Sequence, residues 1–160
     1  WQCGTLQVDF NLPGRFDSTF IGEDGAKHTP VLLHRAALGS FERFIGILLE
    51  NYEGKLPVWL APTQTVIVAI TDEANEYAQQ LHKKLINSGI RSELDVRNEQ
   101  ISYKVREHSL QKVPYIVAVG KKEIAHNSVS VRKLGTDKNE LLSADKFIEN
   151  LSLESHNPLQ

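Results

Sequence analysis

Two short apolar runs constrain the fold more than any other feature of this chain. Residues 66–70 (VIVAI) and 115–119 (YIVAV) are continuously apolar rather than alternating, which is typical of strands that are buried on both faces. Such strands need a covering layer on each side, and the sequence between them has the period of helices. Beyond residue 57 we therefore predict an α/β domain with a sheet covered by helices.

The order of the remaining patterns predicts the topology of this domain. Helices are expected over 72–88, with Asp72 as the N-cap, and over 101–112, where Pro114 ends the second one. A strand is expected over 90–96, an alternating strand over 128–132, and a last helix over 145–153. The order β-α-β-α-β-β-α predicts three layers around a mixed, mostly parallel sheet with one antiparallel strand.

The first 56 residues have a different pattern. Residues 5–10 alternate strictly between apolar and polar, as in a strand with one buried face, and residues 11–15 should form a turn. Asp24 and Gly25 predict a hairpin that joins strands over 18–21 and 29–33, with His34 at the end of the second strand. Ser40 can cap a following helix. We therefore expect two domains, 1–56 and 57–160, with residues 53–65 as a linker or strap.

Composition limits the class of protein. The 160 residues are 41% hydrophobic and 24% charged, as in ordinary globular proteins, and the apolar runs are too short to span a bilayer. A single cysteine excludes an internal disulfide, which suits a reducing compartment such as the cytoplasm. The chain starts at Trp1 without a methionine, from which we expect a fragment of a longer protein.

Charge is unevenly distributed. Residues 97–133 contain eight Lys/Arg against three Asp/Glu, a net of +5, although the whole chain has a net charge of −2. A basic region of this kind indicates either a polyanionic partner or a scattered solvated surface, and charge alone leaves both open.

Several polar residues of the first 56 are candidates for a site. Arg43 lies opposite the apolar face of the predicted helix, where it either reaches water or holds a phosphate or carboxylate. Thr5 and Gln7 share the polar face of the first strand, which is either solvated or lines a pocket. His34 is either structural or a metal ligand.

A resemblance to a known family reduces these alternatives. The segment HRAALGSFERF resembles the third signature motif of the class II aminoacyl-tRNA synthetases, and WQCGTLQVDFNLPGRF narrows the resemblance to the threonyl-tRNA synthetase family. Similar segments continue in the expected order as far as SVSVRK and cover nearly the whole chain.

The resemblance implies a partial active site in residues 1–56. Arg43 would hold ATP together with magnesium. His34 matches the last of the three zinc ligands of that family, and the other two, a Cys and a His, would lie upstream. Since one imidazole cannot hold zinc, the fragment is not expected to bind it. The residues expected to position threonine and ATP are Gln2, Cys3, Thr5, Gln7 and Ser40.

For residues 57–160 the resemblance implies an anticodon-binding domain. Asn98, Glu123 and Arg132 match the family positions that read the second and third anticodon bases, by hydrogen bonds to base edges and by stacking. Lys112 stands where the family has an arginine, so phosphate contact survives there but a two-pronged base contact does not. Five other cations are expected to contact phosphate or lie on the surface: Arg97, Lys104, Arg106, Lys121 and Lys122.

The implied parent protein activates threonine with ATP and transfers it to threonine tRNA. It would act as a homodimer without a membrane, and the fragment alone is expected to be inactive. The sequence leaves two alternatives: a non-catalytic tRNA-binding paralogue, and a related prolyl, glycyl or histidyl synthetase. The motif-three segment argues against the first, and His34 with WQCGT against the second.

Overall fold

A computed structural model describes residues 4–156, so the predicted roles of Gln2 and Cys3 lie outside the described residues. The chain divides into two compact units, Trp1–Asn51 and Tyr52–Gln160. The elements of the first unit are β1 (Gly4–Asp9), α1 (Leu12–Arg15), β2 (Phe20–Ile21), β3 (Lys27–His28), β4 (Leu32–Ala37) and α2 (Phe41–Asn51).

The first unit is built on the antiparallel pairing of β1 with β4, in which Gln7 lies opposite His34. Helix α2 follows β4 and starts where the sequence predicts, because the hydroxyl oxygen of Ser40 accepts a hydrogen bond from the backbone N–H of Arg43 at 3.2 Å.

Three predictions for this unit are wrong. Residues 11–15 form the short helix α1 rather than a simple turn, because Asp9 Oδ1 accepts from the N–H groups of Asn11 and Leu12 at 2.8 and 2.9 Å and so caps the turn. The predicted hairpin is only two residues long on each side, since β2 pairs with β3. Pro30 has no N–H to continue that ladder, and the chain instead pairs its next strand with β1. His34 consequently lies inside β4 rather than at a strand end.

The second unit is an α/β domain, as predicted. Its elements are β5 (Thr65–Ala69), α3 (Asn75–Asn87), β6 (Ser92–Asp95), α4 (Ile101–Leu110), β7 (Tyr115–Val119), α5 (Lys121–Ala125), β8 (Ser128–Lys133), β9 (Asn139–Ser143) and α6 (Ala144–Ser155). The sheet has the order β6-β5-β7-β8-β9. The first three strands are parallel, and β8 and β9 join antiparallel.

Strands β5 and β7 are buried on both faces of the sheet, which explains their continuous apolar runs. On one face, Ile67 and Ala69 of β5 pack with residues of α3 and α6, such as Leu85 and Leu151. On the other face, Val66 and neighbouring apolar side chains pack against α4. Because successive strand residues point to opposite faces, a strand between two helical layers must be apolar at every position.

The structure adds detail that the sequence did not predict. Asp72 does not cap α3; it begins a 3₁₀ turn, Asp72–Ala74, and the α-helix starts at Asn75. Helix α5 and strand β9 were not predicted at all. The strap is fixed to the second unit by the buried side chain of Gln64, which donates to Val58 O at 3.0 Å and accepts from the Arg91 N–H at 2.9 Å. Between residues 4 and 156, no helix has the length and apolar character needed to cross a bilayer.

Candidate nucleic-acid interface

The carboxyl ends of the parallel strands β5 and β6 border a cleft of about 280 Å³. Its walls are the residues after β5 and the loop 96–99 after β6, which includes Asn98. Clefts at this edge of a parallel sheet are common ligand sites. Asn98 is exposed there, and its side-chain amide has no hydrogen bond to any described residue. It can both donate to and accept from a ligand.

A set of charged side chains lies under this loop, centred on Asp95 at the end of β6. The carboxylate is only 5% exposed, and the side chain of Arg97 donates to both of its oxygens, at 3.0 and 2.7 Å. His108 Nε2 of α4 lies 2.8 Å from Asp95 Oδ2. Hydrogen bonds from the Arg97 side chain, joined by those from His108 and the Arg97 backbone, hold the pKa of Asp95 well below its usual range.

Two cations of the basic region, Arg97 and Lys104, therefore lie against the carboxylate of Asp95. Lys104 is 2% exposed, and its Nζ donates to Ala69 O at 3.0 Å and lies 3.9 Å from Asp95 Oδ1. The prediction that Lys104 contacts phosphate or lies on the surface is wrong, because this ammonium is buried under α4. Arg97 is exposed but connects Asp95 to Glu107, whose Oε2 accepts from its guanidinium at 2.7 Å. These contacts raise the pKa of Arg97.

Glu123 lies beyond the end of β7, in the first turn of α5. Its Oε2 accepts from the backbone N–H of Gly120 at 2.9 Å, so one carboxylate oxygen caps the chain before the helix. Oε1 has no hydrogen bond to any described residue and is available for a ligand. The carboxylate therefore has a structural contact as well as the expected binding role.

The side chain of Arg132 points to the same face of the sheet as the residues that α4 covers, but it lies on β8, one strand beyond β7. It pairs with Ile116 of β7, and cross-strand partners point to the same face. Ile116 is covered by α4 residues. Next to it, four residues of β8 and β9 form what we call the open strip, where Leu141 is 66% exposed. The residues of the open strip, placed by cross-strand pairing, are Ser130, Arg132, Asn139 and Leu141.

Asn98 and Glu123 follow the carboxyl ends of β6 and β7, whereas Lys112 precedes the start of β7. Lys112 lies in the turn after α4 and has a left-handed backbone, φ +60°. The guanidinium of Arg132 donates to Asp137 Oδ1 at 2.7 Å. The four predicted anticodon residues are thus spread over one end of the sheet, the open strip and the turn that follows α4.

Ion pairs reduce the effective charge of the basic region. Among described residues, they engage Arg97, Lys104, Lys121, Arg132 and Lys133. Arg106, Lys112 and Lys122 have no ion pair in the part of the chain that the structure describes.

In the first unit, Thr5, Gln7 and His34 lie on one face of the β1–β4 pair, and Asp9 lies on the same face. His34 Nε2 is 3.2 Å from Asp9 Oδ2. Hydrogen bonds from the Leu12 and Asn11 N–H groups lower the pKa of Asp9, with a smaller contribution from His34. Arg43 is exposed on α2.

A metal site is not complete in residues 4–156, where no three His, Cys, Asp or Glu side chains lie close enough to hold an ion. Among the metal-ligating side chain types of residues 4–156, Asp9 is the one that contacts His34. The described donors therefore do not fit a zinc ion, for which structural and catalytic sites use at least three protein ligands.

Comparisons with known proteins agree with the division of the chain. Residues 64–153 match the family model of the anticodon binding domain, and residues 1–52 match that of the tRNA synthetase class II core domain (G, H, P, S and T). The chain is 56% identical over 158 residues to the threonine–tRNA ligase of Parvibaculum lavamentivorans. The aligned region covers 99% of this chain and 24% of that protein. For the threonine–tRNA ligase of Pelagibacter ubique the identity is 53% over 152 residues, 95% of the chain and 24% of the relative.

A solved structure is similar to the whole chain. The RNA binding domain of threonyl-tRNA synthetase from Cryptosporidium parvum Iowa II superposes with a TM-score of 0.83 at 34% sequence identity, and covers 100% of this chain and 41% of that one. The chain thus spans about a quarter of the length of the threonine–tRNA ligases that it matches.

Proposed function

We propose, since this chain belongs to the anticodon binding domain family and carries a segment of the class II tRNA synthetase core, that it is the anticodon-reading part of a threonine–tRNA ligase. The complete enzyme would be a homodimer in the cytoplasm. It would activate threonine with ATP and magnesium and transfer it to threonine tRNA.

The observation that carries this proposal is that the side chains of Asn98, Glu123 and Arg132 on the second unit keep hydrogen-bonding groups available for a ligand. The amide of Asn98 and Glu123 Oε1 make no hydrogen bond to any described residue. Within residues 4–156, the guanidinium of Arg132 is held by one exposed carboxylate, that of Asp137. Polar groups of this kind can read the Watson–Crick edges of unstacked anticodon bases, and planar groups such as guanidinium can stack on them. Lys112 would contact the RNA backbone as a point charge.

In the first unit the same proposal assigns chemistry to a partial active site. Arg43 would neutralise the phosphates of ATP as the carboxylate of threonine attacks the α-phosphate, which forms threonyl-adenylate and releases pyrophosphate. Charge neutralisation of this kind is a major part of such catalysis. Gln2, Cys3, Thr5, Gln7 and Ser40 would position the two substrates. The described donors do not by themselves fit a zinc ion, and His34 would supply one ligand of the complete enzyme.

A binding experiment with the 160-residue chain tests the anticodon assignment. We expect it to bind the anticodon arm of threonine tRNA more tightly than arms altered at the second or third base. Affinity for every arm should fall as salt rises, because phosphate contacts release counterions. Glu123→Gln keeps an oxygen that can accept from Gly120 but removes the charge, so it should reduce discrimination by about 1–3 kcal/mol.

Lys122→Ala is the matched control, because this exposed cation has no ion pair within residues 4–156. It should weaken all arms about equally and lower the salt dependence by about one counterion. Equal affinity of the unmodified chain for the cognate and altered arms would refute the proposed function.

A further inference from the structure

Asp95 and its partners form a charged cluster that the assigned anticodon residues leave unexplained. The carboxylate is nearly inaccessible, yet its oxygens face Arg97, His108 and, at 3.9 Å, Lys104. Burying charged groups costs free energy, and well-packed apolar side chains often replace such clusters without loss of stability. Stability alone therefore does not account for this arrangement.

The cluster is attached to the loop that carries Asn98. Asp95 Oδ1 accepts from the backbone N–H of Arg97 at 3.1 Å, so the carboxylate fixes the main chain as well as the side chain of Arg97. Arg97 O in turn accepts from the Glu99 N–H at 2.9 Å. The residues on both sides of Asn98 are thus held by hydrogen bonds.

The opposite side of the cluster is attached to α4. Glu107 accepts from Arg97, and His108 contacts Asp95. Lys104 donates to Ala69 O at the end of β5. The cluster around one carboxylate therefore connects the ends of β5 and β6, helix α4 and the loop 96–99 between β6 and α4.

We propose that Asp95 is a positioning residue for anticodon recognition, which holds the loop 96–99 through Arg97 and His108 so that the amide of Asn98 meets its base in one orientation. This inference rests on the proposed function. A group that is already oriented loses less conformational freedom on binding and rejects a mismatched base more strongly. In this arrangement Arg97 is a structural link rather than a phosphate contact.

The test uses Asp95→Asn in the 160-residue chain. The amide keeps one oxygen for the Arg97 N–H but loses the charge that holds the guanidinium and the imidazole. Discrimination between the cognate arm and arms altered at the second or third base should fall about fivefold or more, the lower end of what one base contact contributes. The salt dependence should not change, because no phosphate contact is removed.

A double-mutant cycle separates positioning from general damage. In an Asn98→Ala background, Asp95→Asn should cause no further loss of discrimination, because the group that it positions is absent. Hydrogen exchange of the amides in 96–99 should be faster in Asp95→Asn than in the unmodified chain. Tyr115→Phe is the control, since it removes hydrogen bonds to Glu154 at 2.8 and 3.0 Å at the other end of the sheet. It should leave discrimination unchanged.

Two outcomes overturn the inference: unchanged discrimination in folded Asp95→Asn protein, and an equal loss in the presence and absence of Asn98. If Asp95→Asn does not fold, Arg97→Lys replaces it, because this change keeps the charge but removes the two-pronged contact by which Asp95 holds the side chain of Arg97; retained discrimination in that variant also overturns the inference. Failure of the proposed function is seen separately, as a lack of discrimination by the unmodified chain.

Discussion

Replacing Arg132 by alanine tests whether the open strip reads a base. In the free protein the guanidinium donates to Asp137 at 2.7 Å, and the two side chains are 35% and 99% exposed. An ion pair this exposed contributes about 0–1 kcal/mol to stability, so its loss should change the melting temperature little. A guanidinium that instead donates to a base edge contributes about 1–3 kcal/mol of discrimination. Arg132→Ala should therefore reduce preference for the cognate arm about 5- to 150-fold.

Two matched variants show which property of Arg132 matters. Asp137→Asn removes the competing carboxylate and leaves the guanidinium in place, so affinity for the cognate arm should stay the same or rise. Arg132→Lys keeps the charge but loses the planar fork. It should bind all arms with near-normal affinity and discriminate poorly among them.

The assay is fluorescence anisotropy with cognate and altered anticodon arms at two salt concentrations, with a thermal melt of each variant. Full discrimination by Arg132→Lys would mean that only charge matters at this position. An equal loss of affinity in Asp137→Asn and Arg132→Ala would show that the ion pair is structural. Either result would refute a base-reading role for Arg132.

Three further predictions concern the first unit and the effect of pH. The 160-residue chain should not catalyse threonine-dependent exchange of pyrophosphate into ATP. In a complete enzyme, Arg43→Ala should raise the barrier to adenylate formation by about 3–4 kcal/mol, as measured by pre-steady-state kinetics. An unchanged rate of adenylate formation would remove Arg43 from the site. Elemental analysis should find no stoichiometric zinc in the 160-residue chain, whereas one zinc per chain that is lost in His34→Ala would mean that other groups complete a site. Since the pKa of Asp95 is lowered in the folded state, its stabilising contribution is complete above about pH 4 and is lost as pH falls further. Urea unfolding should therefore show the unmodified chain to be more stable than Asp95→Asn at pH 7, with a difference that shrinks as pH falls from about 4 towards about 2; a difference that does not vary with pH would contradict this.

The elements that the sequence predicted best are those whose burial is uniform. Strand β7 occupies the predicted residues, Tyr115–Val119, and β5 differs from its prediction by one residue. A strand between two helical layers is apolar at every position, so its pattern does not depend on knowing its neighbours. The parallel order followed from the helical segments between these strands.

Strand β9 shows why other elements were missed. Its sequence, NELLS, has two apolar residues and no clear alternation, and the burial of its side chains is slight. It is a strand because β8 offers a free edge, and five residue pairs join the two. Pairing of this kind depends on the tertiary arrangement rather than on local preference. Missing β9 also meant missing the open strip.

The sequence predicted individual residues of the candidate site, but not the cluster that forms when distant residues pack together. Asn98 and Glu123 were named from the resemblance, and both lie on the surface near strand ends. The Asp95 cluster was not named, because Asp95 and His108 are 13 positions apart and only the packing of α4 on the sheet brings them together. The sequence did contain a weak signal, since an acidic residue at a strand end is followed two positions later by an arginine.

Several residues that the resemblance assigns to substrate, RNA or zinc also have structural contacts. Ser40 caps α2, Glu123 caps the start of α5, and His34 contacts Asp9. Loss of a cap commonly costs about 0.5–2 kcal/mol, which overlaps the 1–3 kcal/mol expected from one lost base contact. An alanine variant at such a position therefore cannot separate the two roles by affinity alone. A substitution that keeps the capping oxygen, such as Glu123→Gln, leaves the helix start intact, so a change in base preference that it causes is attributable to recognition.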